Sequence, residues 1–180
     1  MILTDREIQI SLDRRIFSIS PAPESVAYTS TAVDLTLDPI LHLVRDPTSA
    51  LETTINPQAS GFNAEDVMGR LSDQITIDQQ SGYPFVPLGW TKERIEMDVE
   101  ARIAARVEGK SSLARLGLVI HITAPTIHAG FKGRIRLEMM NHGAVPIRLW
   151  PGMRICQLIF ETTLGTAEKG YKGQFAGQGI

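Results

Sequence analysis

Short apolar alternations, broken by glycine and proline, run through the chain from residue 83 onward and constrain its fold more than any other feature. In "DVEARIAARVEG", Val99, Ala101, Ile103, Ala105 and Val107 fall on one face, with Glu100, Arg102 and Arg106 on the other. "RIRLEMM" repeats the pattern, setting Ile135, Leu137 and Met139 against Arg134, Arg136 and Glu138. A period of two belongs to a half-buried strand, whose successive side chains point to opposite sides. "LGLVIHITA" reads as a largely apolar strand, and "VPIRLWPGMRICQLIF" as two strands around a Pro151-Gly152 turn. Many short strands at this spacing predict a mainly β barrel or jelly-roll-like fold.

The remainder is compatible with one domain over residues 1–180. Thr4 and Glu7 have capping-box spacing, and Leu3 with Ile8 can staple the first turn, so an N-terminal helix precedes Pro21 and Pro23. "AVDLTL" reads as a strand ended by Pro39, and "LHLVRD" as a second short strand. Residues 46–82 read as a long excursion with one weak helical patch around Ala64–Leu71. Residues 166–180 are too glycine-rich to pack as a core element and read as a mobile tail. A single cysteine, Cys156, excludes an intramolecular disulfide, and no apolar run approaches a membrane span. The N-terminus is mixed and charged, unlike a secretory signal, so a cytoplasmic protein is expected. A net charge of −2 offers no global field for nucleic acid, so any anion site must be local.

"VEGKSSLARLGL", residues 107–118, contains the strongest local anion signal. Gly109-Lys110-Ser111 resembles the end of a phosphate-binding P-loop, but the glycine required five positions earlier is Ala104. Gly117 also ends any helix too soon for that motif. A Ser-x-x-Lys nucleophile fails because Arg115 stands three residues after Ser112. A short turn of helix remains, with Ser111 or Ser112 as its cap and Gly117 as its end. Such a turn beside Lys110 and Arg115 suits a phosphate, and equally suits serine caps with solvated cations.

"MILTDREI", "VDLTL", "EGKSSLARLGL", "HITAPTIHAGFKGRIRLE", "PIRLWPGMRICQLIF" and "YKGQFAGQ" occur in one order and spacing. Together they resemble the deoxycytidine triphosphate (dCTP) deaminases of the trimeric dUTPase-like superfamily. The resemblance implies a distorted jelly-roll fold, a homotrimer with sites shared between subunits, and hydrolytic deamination of dCTP to dUTP and ammonia. It implies Mg²⁺ carried by the triphosphate and no zinc at the reacting carbon, and the chain has no zinc-deaminase signature. It leaves open whether dTTP inhibits.

By the same resemblance, Glu138 is the catalytic base that takes a proton from water attacking C4 of the cytosine ring. Ser111 and the carbonyl of Ala124 hold that water. Arg115 stabilises charge near the base or binds phosphate, while Lys110 and Ser112 meet the triphosphate. Arg136 and Leu137 belong to the nucleotide-binding strand. Tyr171, Lys172 and Gln178 close from the tail as a lid.

Four departures cluster near this site. The family usually has aspartate, bonded to the deoxyribose 3′-hydroxyl, where this chain has His128. Arg136 replaces a small or uncharged residue on the face of Glu138, where it can pair with that carboxylate, face another subunit or bind phosphate. Pro125-Thr126 follow Ala124 where some relatives have a basic side chain, and Gln174-Phe175 replace a Lys-Tyr pair in the tail. Three readings follow: a dCTP deaminase with altered sugar and lid contacts, a dUTPase-like or bifunctional deoxynucleotide hydrolase, and a non-catalytic nucleotide-binding protein. Cys156, His121, Trp90 and Trp150 read as packing or interior residues, and His42 has no partner visible in sequence.

Overall fold

A computed structural model describes residues 1–44, 55–77 and 88–171. The capping box between Thr4 and Glu7 forms and starts helix α1 (Asp5–Asp13). Ile8 is fully buried, and Leu3 packs against the core beside it. The chain then enters β1 (Phe17–Ser20), a strand absent from the sequence reading. Phe17 of β1 stacks on Phe160 with ring centroids 4.2 Å apart. A short 3₁₀ turn, Ser25–Ala27, leads into β2 (Tyr28–Thr29).

Strand β3 (Ala32–Val44) is continuous through Pro39, which corrects the expected break into two strands. Its first part pairs with β2 and β11 (Arg154–Thr162), and its last part pairs with β4 (Ser72–Thr76) and β5 (Leu88–Met97). Pro39 sits inside a register shift between Leu37 and Leu41, where its missing N–H interrupts no ladder. Its carbonyl accepts from Ile77 N, and Asp38 Oδ1 accepts from Ile40 N. The long strand therefore changes partners at the proline without ending.

The patch Ala64–Leu71 forms helix α2, capped by Asn63. Strand β4 follows it directly and makes part of the expected excursion an ordered sheet element. Val99–Ala101 is a 3₁₀ turn, not strand, and Arg102 takes a left-handed conformation before β6 (Ile103–Gly109) begins. Ile103, Ala105 and Val107 are buried as the alternation predicted. Helix α3 (Ser111–Ala114) is the predicted short turn, but its N-cap residue is Lys110 and no side chain caps it. Neither serine therefore plays the expected capping role. Gly117 ends the turn as expected, at φ +100°.

Only Leu118–Val119 of "LGLVIHITA" is strand (β7), paired with β10 (Met140–Asn141). The remainder leads to β8 (Thr126–Ile127) and β9 (Lys132–Glu138). No strand pair flanks Pro151-Gly152: the approach is irregular, anchored by the buried Leu149, and β11 alone follows. Among the described residues, nine strands form one sheet along the path β1-β5-β3-β11-β6-β8, with β2 and β4 on β3 and β9 on β5. Every pairing is antiparallel. Val33, Leu35, Leu37, Ile95, Leu137, Leu158 and Phe160 fill its inner face. Each such side chain contributes about 1.5–3 kcal/mol on burial. The mainly β expectation holds. Among the described residues, no helix is long and apolar enough to cross a membrane.

Candidate active site

The outward face of β9 supplies the floor of a cavity of about 550 Å³. Strand alternation buries Ile135 and Leu137 and turns Arg136 and Glu138 outward, where both line the cavity. Glu138 is held at two points. Its main-chain N donates to Ile120 O at 3.0 Å, and its Oε2 accepts from Ile122 N at 3.3 Å. The carboxylate is thus tied to the loop that carries Ala124, which lines the same cavity. Pro125 O accepts from Val107 N at 2.9 Å and fixes that loop to β6.

His128 and Tyr171 form the next wall. Their rings stack at 5.6 Å with 17° between planes, and Tyr171 also leans on Phe131 at 6.1 Å. Tyr171 N donates to Ala129 O at 3.2 Å. Gly130 permits this approach: its φ is +86°, and a Cβ there would lie 2.9 Å from both Tyr171 N and Val99 Cγ2. The start of the tail is therefore docked at the cavity. Lys172, Gln174, Phe175 and Gln178 lie outside the described residues.

Arg136 does not form the expected pair with Glu138. Its guanidinium lies over Trp90, 4.3 Å from the ring centroid, and forms no ion pair with Glu138 among the described residues. Trp90 is its cross-strand partner on β5, as Leu88 is for Glu138. Burial pulls the Arg136 guanidinium below its usual range, and the fields of Glu65 and then Glu138 oppose that pull. Glu65 comes from α2, which closes the remaining side with Ala64 and Met68. Sequence reasoning missed this wall. The helix itself was visible in the pattern, but nothing in residues 63–71 reports which strand it packs against.

The remaining predicted residues lie elsewhere. Leu137 is fully buried in the core and does not line the cavity. Lys110, Ser111, Ser112 and Arg115 also do not line it. Ser111, Ser112 and Arg115 are exposed on and beside α3, with Arg115 in a separate concavity shared with His142 and Pro146. Lys110 donates to Oδ2 of the buried Asp34, whose same oxygen lies 3.6 Å from Arg154 Nη1. One chain thus brings together Glu138, Ala124, His128, Arg136 and Tyr171, and presents the Lys110–Arg115 group on a different surface.

Among the described residues, no group of three or more His, Cys, Asp or Glu side chains is arranged to hold a metal. His121 is largely interior, with Nε2 3.8 Å from Glu108. Cys156 is fully buried, and desolvation pushes its thiol far above the usual range, so it is core.

The geometry can be set beside known proteins. A family model described as dCTP deaminase-like matches residues 2–163. A protein of Methanosphaera stadtmanae named "dCTP deaminase, dUMP-forming" is 34% identical over 174 residues, covering 94% of this chain and 83% of that protein. A protein of Rhodospirillum rubrum named "dCTP deaminase" is 34% identical over 176 residues, covering 95% and 87%. Among solved structures, 2′-deoxycytidine 5′-triphosphate deaminase from Agrobacterium tumefaciens matches with a TM-score of 0.68 at 20% identity. That match covers 89% of this chain but 48% of the solved chain, so this chain spans about half its length, and the likeness is one of fold. On the family match and the two relatives, the chain belongs to the dCTP deaminase-like family.

Proposed function

We propose that this chain deaminates dCTP hydrolytically, yielding dUTP and ammonia, with Glu138 as the base. The observation that carries this reading is the placement of Glu138: an outward carboxylate on a cavity floor, steadied by a main-chain N–H beside Ala124. Water bound between Glu138 and the Ala124 carbonyl attacks C4 of the ring. As the C4–O bond forms, Glu138 takes the water proton. It passes that proton to ring N3 and then carries the hydroxyl proton to the amino group. The C4–N bond breaks, the carbonyl forms and ammonia leaves. His128 bonds the sugar 3′-hydroxyl, and Tyr171 begins a lid that Lys172 and Gln178 complete. Mg²⁺ arrives with the triphosphate as part of the substrate.

The site is completed by a second copy of the chain, in a homotrimer. The support is the split described above: the residues suited to phosphate and to the attacking water sit on α3, outside the cavity. Arg115, Ser111 and Ser112 are exposed there, ready to enter a neighbour's cavity. Lys110 spends one donor on Asp34 and keeps two for phosphate oxygens. Apolar Leu116 and Val145 are exposed beside α3, as a subunit interface requires.

Ammonia release from dCTP without added metal beyond Mg²⁺ tests the reading. The wild-type chain is expected to release it, and Glu138→Gln to lower kcat by about 10²–10⁴-fold. Tight deoxynucleotide binding with no ammonia release would overturn the enzyme reading. The Methanosphaera relative's name favours a second reading, in which the triphosphate is also cleaved to leave dUMP. Against it, His128 supplies no fixed negative charge to activate a second water. Chromatography of the products separates the two, since dUMP with pyrophosphate would establish the second.

A further inference from the structure

We infer that Asp34 is a positioning residue that gathers Lys110 and Arg154 into a two-cation subsite for the substrate's phosphates. The inference rests on the reading above, which gives Lys110 to the triphosphate, and adds Arg154 to it. Its starting point is a buried charge. Asp34 is 3% exposed, and strand alternation sets it on the side of β3 opposite the buried Val33 and Leu35. Its Oδ1 is buried with no hydrogen-bond partner among the described residues, so the compensation its charge receives comes through Oδ2. A carboxylate taken out of water in this way depends on the cations beside it.

Two cations reach that oxygen from different elements. Lys110, between β6 and α3, places Nζ 2.5 Å from Asp34 Oδ2. Gly109 lies across from Cys156 on β11, and Cys156 lies across from Leu35 on β3, so the lysine side chain crosses β11 to meet Asp34. Arg154, the first residue of β11, brings Nη1 to 3.6 Å from the same oxygen. That nitrogen also donates to Val26 O at 2.8 Å, which ties the side chain to the turn before β2. Glu93, the neighbouring buried carboxylate, is engaged elsewhere: Oε2 accepts from Thr36 N at 2.9 Å and Oε1 from Thr36 Oγ1 at 2.7 Å. Two cations thus face one carboxylate, and the cluster keeps a net positive charge. Lys110 side-chain exposure is 21% and that of Arg154 is 46%, so a ligand can reach both while the carboxylate between them is covered. Nζ keeps two donors, and Arg154 keeps Nε and Nη2, the side-on pair that matches two phosphate oxygens. A triphosphate carries more charge than one lysine neutralises. Side chains already held by Asp34 lose less rotamer freedom when they bind it.

Calorimetric titration of the full chain with inorganic triphosphate and Mg²⁺ reads the subsite without the base or the reaction. Arg154→Met is expected to weaken this binding roughly tenfold and to raise KM for dCTP by a similar factor, with kcat within about twofold of wild type. Asp34→Asn keeps the shape of the side chain and removes its charge. It is expected to weaken triphosphate binding in the wild-type background and to cost much less in Lys110→Met, because its partner there is gone. A merely structural defect would cost the same in both backgrounds. Unchanged triphosphate affinity in Arg154→Met overturns the subsite. Equal losses from Asp34→Asn with and without Lys110, or tighter binding in Asp34→Asn, overturn the positioning role. If Asp34→Asn does not fold, Arg154→Met alone decides. A wild-type chain that binds inorganic triphosphate but releases no ammonia from dCTP defeats the functional reading and leaves the subsite standing, whereas one that does not bind triphosphate defeats this inference.

Discussion

At the scale of single residues, the cavity is a set of charges whose freedom is restricted one by one. Glu138 is tied through its backbone and one carboxylate oxygen, and Arg136 lies on an indole ring. His42 illustrates what this costs. Burial first, and the field of Arg136 second, hold its imidazole below its ordinary value of 6.5, with Glu65 opposing. The unfolded chain therefore binds more protons than the native one just below that pH. Stability contributed by neutral His42 is fully present above about pH 6.5 and is lost as pH falls toward the lowered native value. Denaturant midpoints at pH 7.5 and 5.5 should show this loss, and His42→Gln should flatten it. Equal pH slopes in the two proteins would contradict the account. Glu138, Ala124, His128, Arg136 and Tyr171 were legible in the sequence because the family's motifs mark their positions, and all five line one cavity. Glu65 was not. Its motif is only an acidic residue in a capped first turn, which helices use for their own stability whatever they face.

Elements were legible in proportion to how locally they are determined. The capping box started α1 where expected, and α2 occupies the weak helical patch, because caps and periodicity act within a few residues. Strands β1 and β4 were missed because their hydrogen bonds come from β5 and β3, far away in sequence. Pro39 misled for a related reason, since its tolerance depends on a register shift against β5 that no local pattern encodes. The turn after α3 makes a firm prediction at this scale. Gly117 has φ +100°, and a Cβ there would lie 2.2 Å from Gly143 N and 2.6 Å from Gly143 Cα. The nearest atoms are all backbone of His142 and Gly143, so no flexible side chain is there to yield. Gly117→Ala should destabilise the chain by about 2 kcal/mol or more, combining left-handed strain with a backbone clash. Thermal or denaturant unfolding measures it, and a loss under about 0.5 kcal/mol would show that the turn can rearrange.

At the scale of the whole molecule, the alternating segments identified a mainly β fold, but not the way β3 links the parts of one sheet by changing partners at Pro39. Nor did sequence order reveal that "GKSSLAR" and Glu138 serve different surfaces of one chain. β6 delivers Lys110 to α3 after Val107 has already lined the cavity, so the two motifs diverge within a few residues. In the proposed homotrimer, Glu138 comes from one copy and Ser111 and Arg115 from the next. Mixed oligomers test this most directly. Glu138→Gln and Arg115→Ala chains are each expected to release almost no ammonia from dCTP. Co-assembled in equal amounts, they should recover about a quarter of wild-type activity, the share of random subunit pairs that carry both intact residues. Mixtures as inactive as either parent would contradict a shared deaminase site.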